Sequence, residues 1–207
     1  MGLLPLAISH PLSFALLALL LLYSVVFHEV AHGVTAYAFG DDTAKRAGRL
    51  TLNPLMHFDP MGALMLFFVG FGWARPVPVN YFSLKRTRWG LLAVAMAGVT
   101  VNILIAMLAR ALLQSESVRA HSVATPVLTV LFRINMILGA FNLIPIPPLD
   151  GSKILLAFLP EEKWRAFAKF EPYGILLLLF LLVTGLLEPV IVFMQNQIQG
   201  LMAVFIR

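Results

Sequence analysis

Hydrophobic positions along the chain gather into long blocks separated by short polar stretches. The first block covers residues 12 to 38. As a helix it would be about 40 Å long, enough to cross a hydrocarbon core of about 30 Å. A polar linker follows over 40–60, "GDDTAKRAGRLTLNPLMHFDP". The next apolar piece, 61–72, is too short to span and predicts a re-entrant or interfacial segment. Over 73–90 the sequence "WARPVPVNYFSLKRTRWG" disfavours helix at Pro76 and Pro78, and "PVPVNY" reads as extended. Further full blocks cover about 90–113, 126–148 and 172–195. A polar turn at 114–124 and a segment at 149–171 with a short surface helix, "LPEEKWRAFAKFEP", separate them. The tail "GLMAVFIR" suits a membrane surface or a groove. The pattern predicts an all-α polytopic membrane protein, with about four full transmembrane helices and one short dipping segment. Residues 1–207 read as a single membrane-embedded domain, without internal repeats.

Composition strengthens this reading. Hydrophobic residues make up 60% and charged residues 12%, half the usual share of a soluble globule. The N-terminus lacks a basic region and a small-residue cleavage site, so it reads as a retained span rather than a removed leader. There is no cysteine, which excludes disulfide and thiolate chemistry. The net charge of +5 suits loops beside anionic lipid, and no basic stripe with an aromatic platform points to nucleic acid. With four spans and one dipping segment, loops 40–60, 73–89 and 149–171 share a side. They carry 11 of the 15 basic residues, which makes that side cytoplasmic by the positive-inside rule. Cell-membrane localisation follows. Oligomeric state stays open.

Against this background "HEVAH", residues 28 to 32, stands out. On a helix His28 and His32 share a face and can reach one metal ion, while Glu29 can serve as general base. Polar groups buried in hydrocarbon cost at least about 2.5–3.5 kcal/mol each on insertion scales, so three together need partners. A catalytic zinc takes three protein ligands and keeps one open position. His10 lies about 27 Å of helix from His28, and His121 falls in the outer turn. Asp150, in "FNLIPIPPLDG", follows the third span at the cytoplasmic end and is the choice for third ligand, ahead of a role as helix N-cap. The prolines before it unwind backbone that must line protein or water. Asn142 is favoured as a donor to a developing oxyanion. Asn102 suits that role or interhelical packing beside Gly98. His57, on the same side as Asp150, reads either as a surface imidazole or as a group that supports the site or gates substrate.

These residues resemble the site-2 protease family of intramembrane zinc metalloproteases. HEVAH inside a span resembles the family's zinc motif, and "NLIPIPPLDG" its second hallmark. "NPLMHFDPMG" and "GFGWARPVPVN" resemble intervening family segments, in the family's order. The resemblance implies His28, His32 and Asp150 as ligands of one zinc ion, Glu29 as base, and a functional Asn142. It also implies that "WARPVPVN" belongs to a re-entrant β-type element near the substrate route. The expected substrates are transmembrane proteins, cut in or near their spans. The chain looks like a compact form without PDZ or CBS domain.

Two rival classes remain at this stage. A membrane metal transporter would show sites in series and an inverted repeat, and neither is apparent. A non-catalytic membrane adaptor would have no need of an intact Glu29.

Overall fold

The computed structural model describes residues 2–84, 87–120 and 123–205. Helix α1 (Leu4–Ser9) runs into α2 (Pro11–Ala38), with Pro11 at the first helical position, where a missing N–H costs nothing. Helix α3 (Thr43–Arg46) is one turn, and α4 (Pro60–Val69) follows a 3₁₀ turn at Pro54–Met56. Asp59 caps α4 by accepting from the Gly62 N–H. At 10 residues α4 is about 15 Å long and too short to span, as the sequence predicts. It folds back, with Phe67 edge-on to Phe14 of α2.

Helix α5 (Thr87–Gln114) is the central element and touches α2, α7 (Ala124–Asn142) and α8 (Asp150–Ala157). The short α6 (Glu116–Arg119) turns the chain between α5 and α7. Several buried positions of α5 are small, Ala95, Gly98, Ala106 and Ala109 among them, which lets neighbouring backbones approach closely. Helix α9 (Glu161–Val183) precedes α10 (Leu187–Phe205), whose Ile198 and Met202 pack on Met136 and Ala140 of α7. Outward positions such as Leu12, Leu104 and Leu108 are exposed, as lipid-facing side chains are.

The expected four spans stand as the upper count, and the β-type elements need correction. Three single helices, α2, α5 from Arg88 and α7, are long and apolar enough to span. A fourth span exists only if α9, bent by 53° between Glu171 and Tyr173, counts as one. The expected block 172–195 is divided between α9 and α10. The break falls at Gly185, which takes a left-handed φ of 74°, and Pro189 has no N–H to bond the Gly185 carbonyl. The β-type elements are not found: the described residues contain no strand. The segment "RPVPVNY" lacks regular structure up to Asn80, but its donors go elsewhere. The Arg75 N–H bonds His57 O at 2.9 Å, the Val77 N–H bonds Glu29 at 2.8 Å, and the Asn80 N–H bonds Asp41 at 2.7 Å. Pro76 and Pro78 have none to give. A ladder needs every second donor facing one partner strand, and here the partners are two side chains and a loop carbonyl.

Those same bonds gather the basic loops at one end of the bundle. Segment 73–80 is tied to 40–59, and Arg88 Nε donates to Ala157 O at 2.6 Å, tying in the end of α8.

Candidate metal centre

His28 and His32 lie one helical turn apart on α2, both buried, facing α5. Ser24, His28 and His32 recur every fourth residue on α2. They meet Asn102, Gly98 and Val94, spaced the same way on α5. Gly98 makes the approach possible. A Cβ there would sit 2.5 Å from both His28 Cε1 and His32 Nε2, where no real atom fits.

The outer ring nitrogens are engaged. His32 Nδ1 lies 2.7 Å from Val94 O. A carbonyl only accepts, so Nδ1 carries a proton, and in the neutral ring Nε2 then keeps its lone pair. His28 Nδ1 lies 2.6 Å from Asn102 Oδ1, and the same logic leaves its Nε2 unprotonated. The two Nε2 atoms are 3.0 Å apart.

Asp150 arrives from the other side. It is the first residue of α8, and Leu149, not Asp150, is the N-cap. The bend over Leu143–Leu149 is held by Leu149 N–H to Ile146 O at 3.0 Å and by Ser152 Oγ to Leu149 O at 2.6 Å. Gly151 lets α8 start hard against the end of α7, since a Cβ there would meet Leu143 O at 2.2 Å. Asp150 Oδ2 reaches within 3.2 Å of His28 Nε2 and 3.1 Å of His32 Nε2. It is buried and has no hydrogen-bond partner.

Three electron-pair donors thus converge with no proton between them. As hydrogen bonding this is repulsive. As a metal site it is complete. Three ligands placed tetrahedrally at about 2.0–2.1 Å from zinc lie about 3.3 Å apart, close to the spacing found here. The N₂O donor set with one open position is that of a catalytic zinc. His28, His32 and Asp150 form the one such cluster among the described residues.

Around this core, Glu29 is half-buried, and its Oε2 accepts from the Val77 N–H at 2.8 Å. Lys153, one turn after Asp150, places Nζ 4.0 Å from Asp150 Oδ1 and over the Tyr81 ring at 5.8 Å. Burial works against its charge, but Tyr81 and Asp150 outweigh that and hold its pKa above the usual lysine range. Asn142 ends α7 and donates Nδ2 to Leu138 O at 3.0 Å, so its amide bonds its own helix. Asn102 is wholly buried, with both ends of its amide engaged between helices. His57 is also wholly buried. Its Nε2 meets Thr51 O at 2.9 Å, which makes it a loop clamp rather than a surface imidazole. His10 sits at the α1–α2 junction, and His121 lies outside the described residues. Sequence reasoning does not single out Ser24, Asn135 or Lys153. Asn135 gives the same signal as Asn102, a carboxamide in an apolar span.

Fold and site together define a polytopic membrane protein with one zinc centre of the hydrolytic type per chain. The profile of Peptidase family M50 matches residues 112–185. YwhC of Bacillus subtilis is 40% identical over 185 residues, covering 86% of this chain and 84% of that protein. Rip2 of Mycobacterium tuberculosis H37Rv is 34% identical over 173 residues, covering 81% of this chain and 66% of its own. "Zinc metalloprotease MJ0392" of Methanocaldococcus jannaschii is 28% identical over 154 residues, covering 74% of this chain and 37% of its own. The full names of YwhC and Rip2 are "Putative zinc metalloprotease YwhC" and "Putative zinc metalloprotease Rip2". No solved structure matches. The chain belongs to peptidase family M50, the site-2-protease-like zinc metalloproteases, and is an intramembrane zinc endopeptidase.

Proposed function

We propose that His28, His32 and Asp150 hold the zinc ion, that Glu29 moves the protons, and that the peptide bonds cut lie in or beside transmembrane segments of other membrane proteins. The observation that carries this reading is the convergence of His28 Nε2, His32 Nε2 and Asp150 Oδ2 within 3.0–3.2 Å of one another, with a carboxylate adjacent in sequence to the first of them. Bound there, zinc supplies Lewis acidity, which makes water a stronger acid and polarises a carbonyl. The Val77 N–H fixes one oxygen of Glu29. The other oxygen takes a proton from the attacking water and delivers it to the leaving amide nitrogen. Asn142 donates to the carbonyl oxygen as negative charge develops, which requires its amide to swing away from Leu138 O. The substrate must unwind locally, because a helix's own hydrogen bonds engage its carbonyls. The metal centre faces the cytoplasmic side. The 11 basic residues assigned above to three loops, and the bonds joining those loops at this end, support that orientation. The whole reaction takes place in one membrane-embedded domain.

The test uses purified protein in liposomes with zinc and a panel of single-span peptides, read by fragment mass. Glu29→Gln keeps zinc and loses cleavage by a factor of about 10²–10⁴. Equal cleavage by wild type and variant would rule out Glu29 as the base. A wild-type protein that folds and binds no zinc would sink the reading altogether.

A further inference from the structure

Behind His28 lies a hydrogen-bonded chain that crosses three helices. Ser24 on α2, Asn102 on α5 and Asn135 on α7 are no more than 2% exposed. Asn102 Nδ2 donates to Asn135 Oδ1 at 2.9 Å, with a longer contact to Ser24 O at 3.4 Å. Asn135 Nδ2 donates to Leu131 O and to Ser24 Oγ, both at 2.9 Å. The Ser24 hydroxyl donates to Leu20 O at 2.7 Å.

This chain has only one self-consistent direction. It ends on two backbone carbonyls, which can only accept. Asn135 must therefore turn its NH₂ toward Leu131 O and its oxygen toward Asn102. Asn102 must answer with its NH₂ and present its oxygen to His28. His28 must then carry its proton on Nδ1 and keep the Nε2 lone pair for the metal. The polarity of α7's backbone is thus transmitted through two carboxamides to a ring nitrogen.

We propose that Asn135 is a positioning residue for the zinc centre, acting through Asn102 to fix the tautomer and orientation of His28. The proposal rests on His28 being a zinc ligand. Partners behind a metal-binding histidine are generally worth about 10–100-fold in metal affinity. Simple packing glue would instead alter the stability of the zinc-free protein and leave affinity alone.

The experiment measures zinc affinity by competition with a chromophoric chelator in detergent, together with the absorption spectrum of the cobalt(II)-substituted protein. Asn135→Ala is expected to weaken zinc roughly 10–100-fold and to shift the cobalt bands. Asn135→Asp, neutral when buried, restores the acceptor toward Asn102 and stays within about threefold of wild type. In the Asn102→Ala background, Asn135→Ala is expected to add nothing further, which is the mark of action through Asn102. Unchanged affinity in Asn135→Ala, or effects that simply add in the double variant, overturns the proposal. Should Asn135→Ala not fold, Asn135→Leu, which fills the space without an acceptor for Asn102, carries the test, and unchanged affinity there overturns the proposal too. Wild-type protein that binds no zinc would instead sink the metal reading on which the proposal stands.

Discussion

At the scale of single residues, the smallest side chain in the site has the sharpest consequence. Gly98 faces both imidazoles, and a methyl group there would occupy their space. In an ordinary helix interior alanine is better than glycine by about 1 kcal/mol. Gly98→Ala is therefore expected to keep full helicity by circular dichroism while losing stoichiometric zinc in elemental analysis. One zinc per chain in that variant would contradict the packing described. The cluster of candidate ligands was legible in the sequence, because HEVAH needs only the 3.6-residue period to put two imidazoles on one face. Asp150 was legible by elimination among few acids. The support behind His28 was not. Its links join residues 74, 33 and 111 positions apart, and no local pattern pairs a serine on one helix with asparagines on two others.

Among the elements, helices were read well and the loop between them poorly, for one physical reason. Helical hydrogen bonds are local, so the hydrophobic pattern gives α2 to within a residue and α5 to within about three, while α7 ends at Asn142, six residues before the expected 148. The bounds of the fourth block were misplaced because its hydropathy continues across Gly185, where a left-handed φ ends α9, and Pro189, which lacks a donor. The segment around Val77 looked like a strand because prolines and β-branched residues favour extended backbone. Its hydrogen bonds are non-local, and they go to His57, Glu29 and Asp41. Asp41 is the tightest of these ties. Burial opposes its charge, but hydrogen bonds from the Thr43 hydroxyl and from the Asn80 and Thr43 N–H groups outweigh burial and lower its pKa below the usual aspartate range. A carboxylate whose pKa is lower folded than unfolded stabilises the fold fully above the unfolded value, about 3.9. That contribution is lost as pH falls through the folded value. Thermal unfolding in detergent should show wild type losing stability below about pH 4, with Asp41→Asn losing less over that range. At neutral pH Asp41→Asn is expected to cost about 1.5–3 kcal/mol, the usual worth of hydrogen bonds to a charged group. An unchanged acid profile in the variant would assign the acid sensitivity to other carboxylates.

Over the whole molecule, the proposed cytoplasmic orientation of the metal centre rests on the distribution of charge. The loops that carry Lys45, Arg49, Arg75, Arg88 and Lys153 are bonded to one another at the end where α2 presents Glu29 to Val77 and α8 presents Asp150 to the imidazoles. The opposite turn, at α6, carries far fewer basic groups. Translocating the crowded end would move most of the chain's positive charge across the bilayer, which is the arrangement that insertion disfavours. The wild-type chain has no cysteine, so it is already a clean background for thiol labelling. Lys45 and Glu162, at the basic end, and Glu116, in α6, are exposed. In intact cells a membrane-impermeant maleimide should label Glu116→Cys. Lys45→Cys and Glu162→Cys should react only after the membrane is opened. The reverse pattern would put the centre on the outer face. Labelling of Lys45→Cys and Glu162→Cys on opposite sides would break the bundle as described, because the bonds from Asp41 to Asn80 and from Arg88 to Ala157 require both ends of that path to meet at one surface.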